Sequence, residues 1–139
     1  MLLHIVARGK IGRSPEAELV ERYLRRISWP TRITELSERA ALPAPPSGAV
    51  TVLLDETGEA MSSTRLAKRL EQWRDGGVRE IRFVIGAADG HSAGEKAGSD
   101  LLISFGPATW PHLLVRAMLA EQLFRATSIL ANHPYHREG

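Results

Sequence analysis

The chain has 139 residues, of which 43% are hydrophobic, so it suits one domain with its own apolar core. It contains no cysteine, which excludes disulfides and thiolate chemistry, and its formal net charge is only +2. The first apolar run, at 2–7, is too short for a signal peptide, and no run approaches the length of a membrane span. We expect a single domain over 1–139 in a soluble, cytoplasmic protein.

Four short apolar runs follow the pattern of strands that are covered on both faces. They are LLHIVA at 2–7, VTVLL at 50–54, IRFVI at 81–85 and LLISF at 101–105. TRITEL at 31–36 alternates more strictly and is typical of an edge strand. Helical patterns lie between these runs. The alternation predicts an α/β fold with a mainly parallel sheet flanked by helices.

Local signals predict where the helices begin and end. Ser14-Pro15-Glu16 combines a capping hydroxyl, a proline and a carboxylate, which is typical of a helix start. A second helix begins at Ser62 or Ser63 and ends at Asp75-Gly76-Gly77. The proline-rich stretch at 42–49 is a connector.

The last predicted helix, from about His112 to Ala131, is apolar around most of its circumference. A helix of this kind is buried on all sides, and a small domain supplies little cover. A second copy of the chain in a symmetric homodimer would supply the missing cover. The alternative is an unusually central helix within a monomer.

Glycines follow three of the predicted strands, at the edge where open α/β sheets bind ligands. Gly86, Gly90 and Gly106 would let a ligand approach the backbone closely, although each glycine alone also suits a plain turn. Acidic residues accompany them and would serve as bases or hydrogen-bond a ribose, or would simply be solvated. These residues are Asp55, Glu56 and Asp89.

Arginine predominates among the basic residues of the chain. Of its 18 basic residues 15 are arginine, which binds phosphate in a bidentate manner, although a GC-rich genome would also favour arginine. The chain ends in HPYHREG, where we expect no metal because Pro134 separates the two histidines and no third ligand lies near.

The segment WPHLLVRAMLAEQLFRA, continuing into SILANHPYHRE, resembles the C-terminal signature of a known family. That family is the SPOUT-class (α/β-knot) methyltransferases that modify N3 of a pseudouridine in 23S ribosomal RNA. ARGK, YLRRI, LLDETGE and FVIGAADG are further points of similarity, so the resemblance covers essentially the whole chain.

The resemblance implies a homodimeric fold with a C-terminal trefoil knot, which pattern rules alone would reject. It also implies that S-adenosylmethionine binds in the knotted region, largely through backbone groups, and that the enzyme acts on the assembled ribosome without a separate RNA-binding domain. The positions that match the cofactor site are Leu54, Gly86, Phe105, Gly106, Pro107, Ala108, Thr109 and Trp110.

The tail is then expected to fold over the cofactor pocket of the partner subunit and to supply the catalytic side chains. These are His133, Tyr135, His136 and Arg137, and histidines in general exchange protons near neutral pH. The alternative is a tail that only packs on its own domain. The expected RNA surface consists of Arg8, Lys10, Arg13, Arg22, Arg25 and Arg26.

Two other functions fit the sequence. One is a non-catalytic RNA-binding protein of the same fold, because the loop reads Gly-Ala-Ala-Asp-Gly at 86–90 where the family usually has Gly-Gly-Pro-Glu-Gly. The other is a flavodoxin-like nucleotide-binding module, which the α/β pattern permits but which gives no reason for the HPYHRE ending.

Overall fold

The computed structural model describes residues 1–87 and 89–137, so the GAADG loop is described without Ala88 and the tail only to Arg137. Strands and helices alternate as predicted. In chain order the elements are β1 Leu2–Arg8, α1 Pro15–Arg26, β2 Thr31–Leu36, β3 Ala49–Ala60, α2 Ser63–Asp75, β4 Glu80–Ile85, α3 Ala93–Gly98, β5 Leu101–Ser104 and α4 His112–Leu130.

The five strands form one sheet in the order β2-β1-β4-β3-β5, and every neighbouring pair is parallel. The predicted parallel sheet is therefore confirmed, and so is the edge position of β2. Because all strands run the same way, the loops that follow β3, β4 and β5 meet at one edge of the sheet.

The helix starts are set by side-chain caps. Ser14 Oγ accepts a hydrogen bond from the Ala17 amide at 3.1 Å, and Pro15 occupies the first helical position. Ser62 caps α2 in the same way, and Gly77, with φ +86°, follows the end of that helix. Both predicted helix starts are confirmed.

The two faces of the sheet are covered differently. On one face, strand side chains form the main core with side chains of α2 and α4. The other face carries a small cluster of Val6, Leu53 and Val84, against which Leu36 and Leu42 pack. The proline-rich connector therefore covers part of the sheet instead of acting as a free linker.

β3 is longer than predicted. Beyond Leu54 its pairing with β5 breaks register and resumes at Glu59, so residues 55–60 belong to the strand and are not a free loop. A Cβ atom at Gly58 would lie 2.6 Å from the carbonyl carbon of Leu102, closer than side chains can approach backbone. Glycine at 58 is what allows β3 to pass so close to β5.

The last helix is confirmed as α4, and its own chain buries one side of it. The largest fully buried side chain is Arg116, which is 1% exposed and donates to Glu35 Oε2 at 2.5 Å and to the Gly9 carbonyl at 3.2 Å. Leu114 and Met118 remain partly exposed.

Among the described residues, no helix is long and apolar enough to cross a membrane.

Candidate functional site

A cavity of about 300 Å³ opens at the C-terminal ends of β4 and β5, beside residues 54–57 of β3, where the pairing of β3 with β5 breaks register. This is the edge where open parallel sheets bind ligands, and the volume is at the lower end of the range for small-molecule sites. Seven of the eight predicted cofactor residues line the cavity, whereas Pro107 does not. The seven are Leu54, Gly86, Phe105, Gly106, Ala108, Thr109 and Trp110.

Two glycines give the cavity its backbone wall. Gly106 has φ +103°, a conformation that other residues rarely adopt. A Cβ atom at Gly86 would lie 3.0 Å from the carbonyl carbon of Gly90, whose amide donates to the Ala87 carbonyl at 2.9 Å. This tight turn keeps side chains away from the ends of the strands, so that a ligand can contact main-chain atoms.

Three carboxylates line the cavity, and Asp55 is the most constrained of them. Its side chain is 7% exposed and accepts hydrogen bonds from the Thr57 amide at 2.8 Å, the Thr57 hydroxyl at 2.6 Å and Lys96 Nζ at 3.1 Å. Burial raises the pKa of Asp55, but the bonds from Thr57 and Lys96 outweigh burial and lower the pKa to about 2. Asp55 is therefore a fixed anion and a poor proton acceptor.

This lowered pKa predicts a pH-dependent loss of stability in Asp55→Asn. A carboxyl whose folded pKa lies below its unfolded value stabilises the fold above the unfolded pKa, and the effect disappears as the pH falls through the folded pKa. We expect the variant to lose about 2 kcal/mol in free energy of unfolding at neutral pH. Urea titrations should show the difference shrinking between about pH 4 and pH 2. A difference that does not change with pH would contradict this account.

Several lining residues were not predicted from the sequence, and His91 and Lys96 are two of those that carry polar side chains. His91 Nε2 donates to the Leu54 carbonyl at 2.9 Å, and Lys96 lies on α3, a helix that was not predicted. A signal for α3 was present, because Ser92 and Glu95 form a capping box in which each side chain accepts the other residue's amide hydrogen at 3.1 Å.

The predicted catalytic tail packs on α4 of its own chain as far as the described residues extend. The His133 amide donates to the Ser128 carbonyl at 2.9 Å, and the Tyr135 ring lies 4.6 Å from the Phe124 ring. Arg125 Nη1 donates to His136 Nδ1 at 3.1 Å. Neither these tail residues nor the exposed Arg137 line the cavity of the same chain.

Tyr135 is held as a neutral phenol. Burial raises its pKa, and the hydrogen bond with Tyr23 and the Glu121 carboxylate raise it further, to about 12. The Tyr135 hydroxyl donates to Glu121 Oε1 at 3.2 Å, while Arg125 lies 4.7 Å from the ring centroid. At neutral pH this side chain can stack or donate a hydrogen bond, but it cannot take up a proton.

Five of the six predicted RNA-binding residues are exposed. They are Lys10 and Arg13 in the loop after β1, and Arg22, Arg25 and Arg26 on α1. Arg25 also pairs with Glu21 on the same helix.

The expectation for Arg8 is wrong, because this side chain is only 6% exposed. Its guanidinium donates to Glu95 at 2.7 Å and to the Ala40 carbonyl at 3.1 Å. Arg8 thus joins β1 to α3 inside the protein and is not part of the candidate RNA surface.

No cluster of three or more potential metal ligands occurs within 1–87 and 89–137.

The fold is shared with a solved structure, a probable methylase family protein from Haemophilus influenzae Rd KW20. The TM-score is 0.64 with 10% sequence identity, over 98% of this chain and 70% of that one. At this level of identity the likeness supports the fold alone.

Other proteins are far more similar to this chain in sequence. The protein named ribosomal RNA large subunit methyltransferase H from Erythrobacter litoralis strain HTCC2594 is 65% identical over 140 residues, which is 100% of both chains. The protein of the same name from Zymomonas mobilis subsp. mobilis is 58% identical over 142 residues, again 100% of both chains. Residues 1–136 also match the sequence model of a family described as "Predicted SPOUT methyltransferase". The chain belongs to the SPOUT methyltransferase family.

Proposed function

We propose that this protein uses S-adenosylmethionine to methylate N3 of a pseudouridine in 23S ribosomal RNA, acting in the cytoplasm on the large subunit of the assembled ribosome. The observation that carries the proposal is the full-length identity of 64–65% to proteins named ribosomal RNA large subunit methyltransferase H. Methyl transfer to ribosomes that lack the modification, with mass mapping of the product base, tests it. Transfer to another base or to none would contradict it.

The residues of the cavity fit a methyl donor of this kind. Bound S-adenosylmethionine would supply a methyl group already activated on a sulfonium sulfur. The carboxylates of Asp55, Glu56 and Asp89 suit a ligand that carries positive charge, and the backbone at Gly86 and Gly106 is open to hydrogen bonding. Calorimetry with S-adenosylmethionine distinguishes the enzyme from a non-catalytic RNA-binding protein, which would not bind at millimolar concentration.

The chemistry requires alignment of the two reactants and removal of the imide proton from N3 of the base. We infer that one of the two tail histidines, His133 or His136, takes this proton, directly or through water. Tyr135 stays protonated and Asp55 stays a stable anion, so neither of these side chains accepts it. The exposed Arg137 holds a phosphate or the imide anion as it forms.

A homodimer is part of this proposal. An apolar groove of about 330 Å³ lies between α1 and α4, lined by Leu19, Tyr23, Leu114 and Met118 among others. Phe105 lines both this groove and the candidate cofactor cavity. A second copy seated in the groove would therefore lie beside the cavity, where its tail could reach the methyl donor.

The trefoil knot is also part of the proposal. It rests on membership of the SPOUT methyltransferase family, whose fold carries such a knot.

The exposed arginines of α1 should contribute to ribosome binding. Replacing Arg22, Arg25 and Arg26 by alanine should weaken ribosome binding about tenfold or more. The slope of log affinity against log salt concentration should also become shallower by about two to three, since each arginine is expected to contact roughly one phosphate. Filter binding over a range of salt concentrations measures both effects.

The control variant removes the same number of arginines from α2, and therefore the same charge. These are Arg65, Arg69 and Arg74. If both triple variants lose the same affinity, net charge and not the α1 surface determines binding.

A further inference from the structure

Lys96 has a distinctive place in the cavity. Of the described residues that line it, Lys96 is the only lysine or arginine, whereas Asp55, Glu56 and Asp89 are acidic. Its Nζ lies 3.1 Å from Asp55 Oδ2, and its side chain is 36% exposed. An ammonium group carries three donors, so a lysine beside one carboxylate can also bind a ligand.

Contacts on both sides hold Lys96 in position. On the side of α3, the buried Arg8 donates to Glu95 Oε2 at 2.7 Å, and Glu95 also closes the capping box with Ser92. On the side of β3, the Asp55 carboxylate is fixed by both hydrogen bonds from Thr57. The ammonium of Lys96 is thus held at the wall of the cavity instead of extending into solvent.

We propose that Lys96 binds the carboxylate of the methionine portion of the methyl donor and so determines which way that end of the ligand points. This inference rests on the proposed function, since it assumes that the cavity holds S-adenosylmethionine. A carboxylate that leaves water needs a cation or hydrogen-bond donors, and the acidic wall repels it elsewhere. The ligand's ammonium and sulfonium groups are attracted to that same acidic wall.

The test is calorimetry on the full chain with two ligands. S-adenosylmethionine carries the amino-acid end, whereas 5′-methylthioadenosine shares the nucleoside and lacks that end. Lys96→Gln should weaken binding of S-adenosylmethionine by about tenfold or more, as expected for loss of a charged hydrogen bond. Binding of 5′-methylthioadenosine should change by less than about twofold, because the variant leaves its contacts in place.

Two further variants complete the experiment. Lys96→Arg should restore most of the affinity for S-adenosylmethionine, since it keeps the charge and the donors. Lys68→Gln removes an exposed lysine of α2 and should bind both ligands as the unaltered protein does.

The outcomes separate the two proposals. Equal weakening of both ligands in Lys96→Gln would mean that Lys96 only maintains the shape of the cavity, and the inference would be wrong. Unchanged binding of S-adenosylmethionine would overturn it as well. If the unaltered protein bound neither ligand, the proposed function itself would fail, and the inference would fail with it.

Discussion

Deletion of residues 133–139 is expected to reduce methyl transfer to ribosomes by at least about 100-fold, because it removes both candidate proton acceptors. Affinity for S-adenosylmethionine should change little, since His133, Tyr135, His136 and Arg137 lie outside the cavity of their own chain. Initial rates and calorimetry on the same preparation measure the two effects separately.

A point variant guards against an effect of folding, because the deletion also removes the packing of Tyr135 on Phe124. Arg137→Ala leaves that packing in place, since Arg137 is exposed. We expect it to lower the rate about tenfold, as for loss of one charged contact, with an unaltered thermal midpoint. Full activity in the truncated protein would show that the tail only docks on its own domain.

The second large effect concerns the close approach of Gly58 in β3 to the backbone of β5. Gly58→Ala should lower the free energy of unfolding by about 3 kcal/mol or more, because its methyl group would meet the backbone of Leu102 at 2.6 Å. A strand backbone in the sheet cannot move aside as a flexible side chain can, so the strain cannot be relieved locally. Urea unfolding, followed by circular dichroism, measures the loss.

Gly98→Ala is the matched control for this substitution. Gly98 ends α3, has no positive φ, and has nothing within 4 Å of an added Cβ atom. Alanine at position 98 should therefore be neutral or slightly stabilising. Equal stability of the Gly58 and Gly98 variants would show that β3 and β5 do not approach so closely.

Periodicity and caps were sufficient to predict most of the architecture. Strand β4 is a continuous apolar run because both faces of the sheet are covered, and α1 begins at Ser14 because its hydroxyl accepts an amide hydrogen bond. These signals are local, so one sequence carries them. The strand-end glycines Gly86 and Gly106 also indicated the cavity before its geometry was known.

The errors of the sequence analysis concern contacts between distant parts of the chain. Arg8 was predicted to be a surface cation, but its side chain is buried and donates to Glu95 and to the Ala40 carbonyl, and Glu95 lies 87 positions further along the chain. The extension of β3 over residues 55–60 was unforeseen for the same reason, since only the path of β5 reveals why Gly58 is needed.

The central claim is that the tail of one chain works at the cavity of the other, and mixed dimers test it most directly. One chain lacks residues 133–139, and the other carries Ala108→Trp, chosen to fill the cavity and checked for loss of donor binding. Each variant alone should be inactive, whereas a mixed dimer combines one intact cavity with one intact tail from the opposite chain.

We predict that co-expression of the two chains restores methyl transfer. A mixture no more active than the two separate variants would contradict a shared site, because a tail that served its own cavity would leave every mixed dimer incomplete.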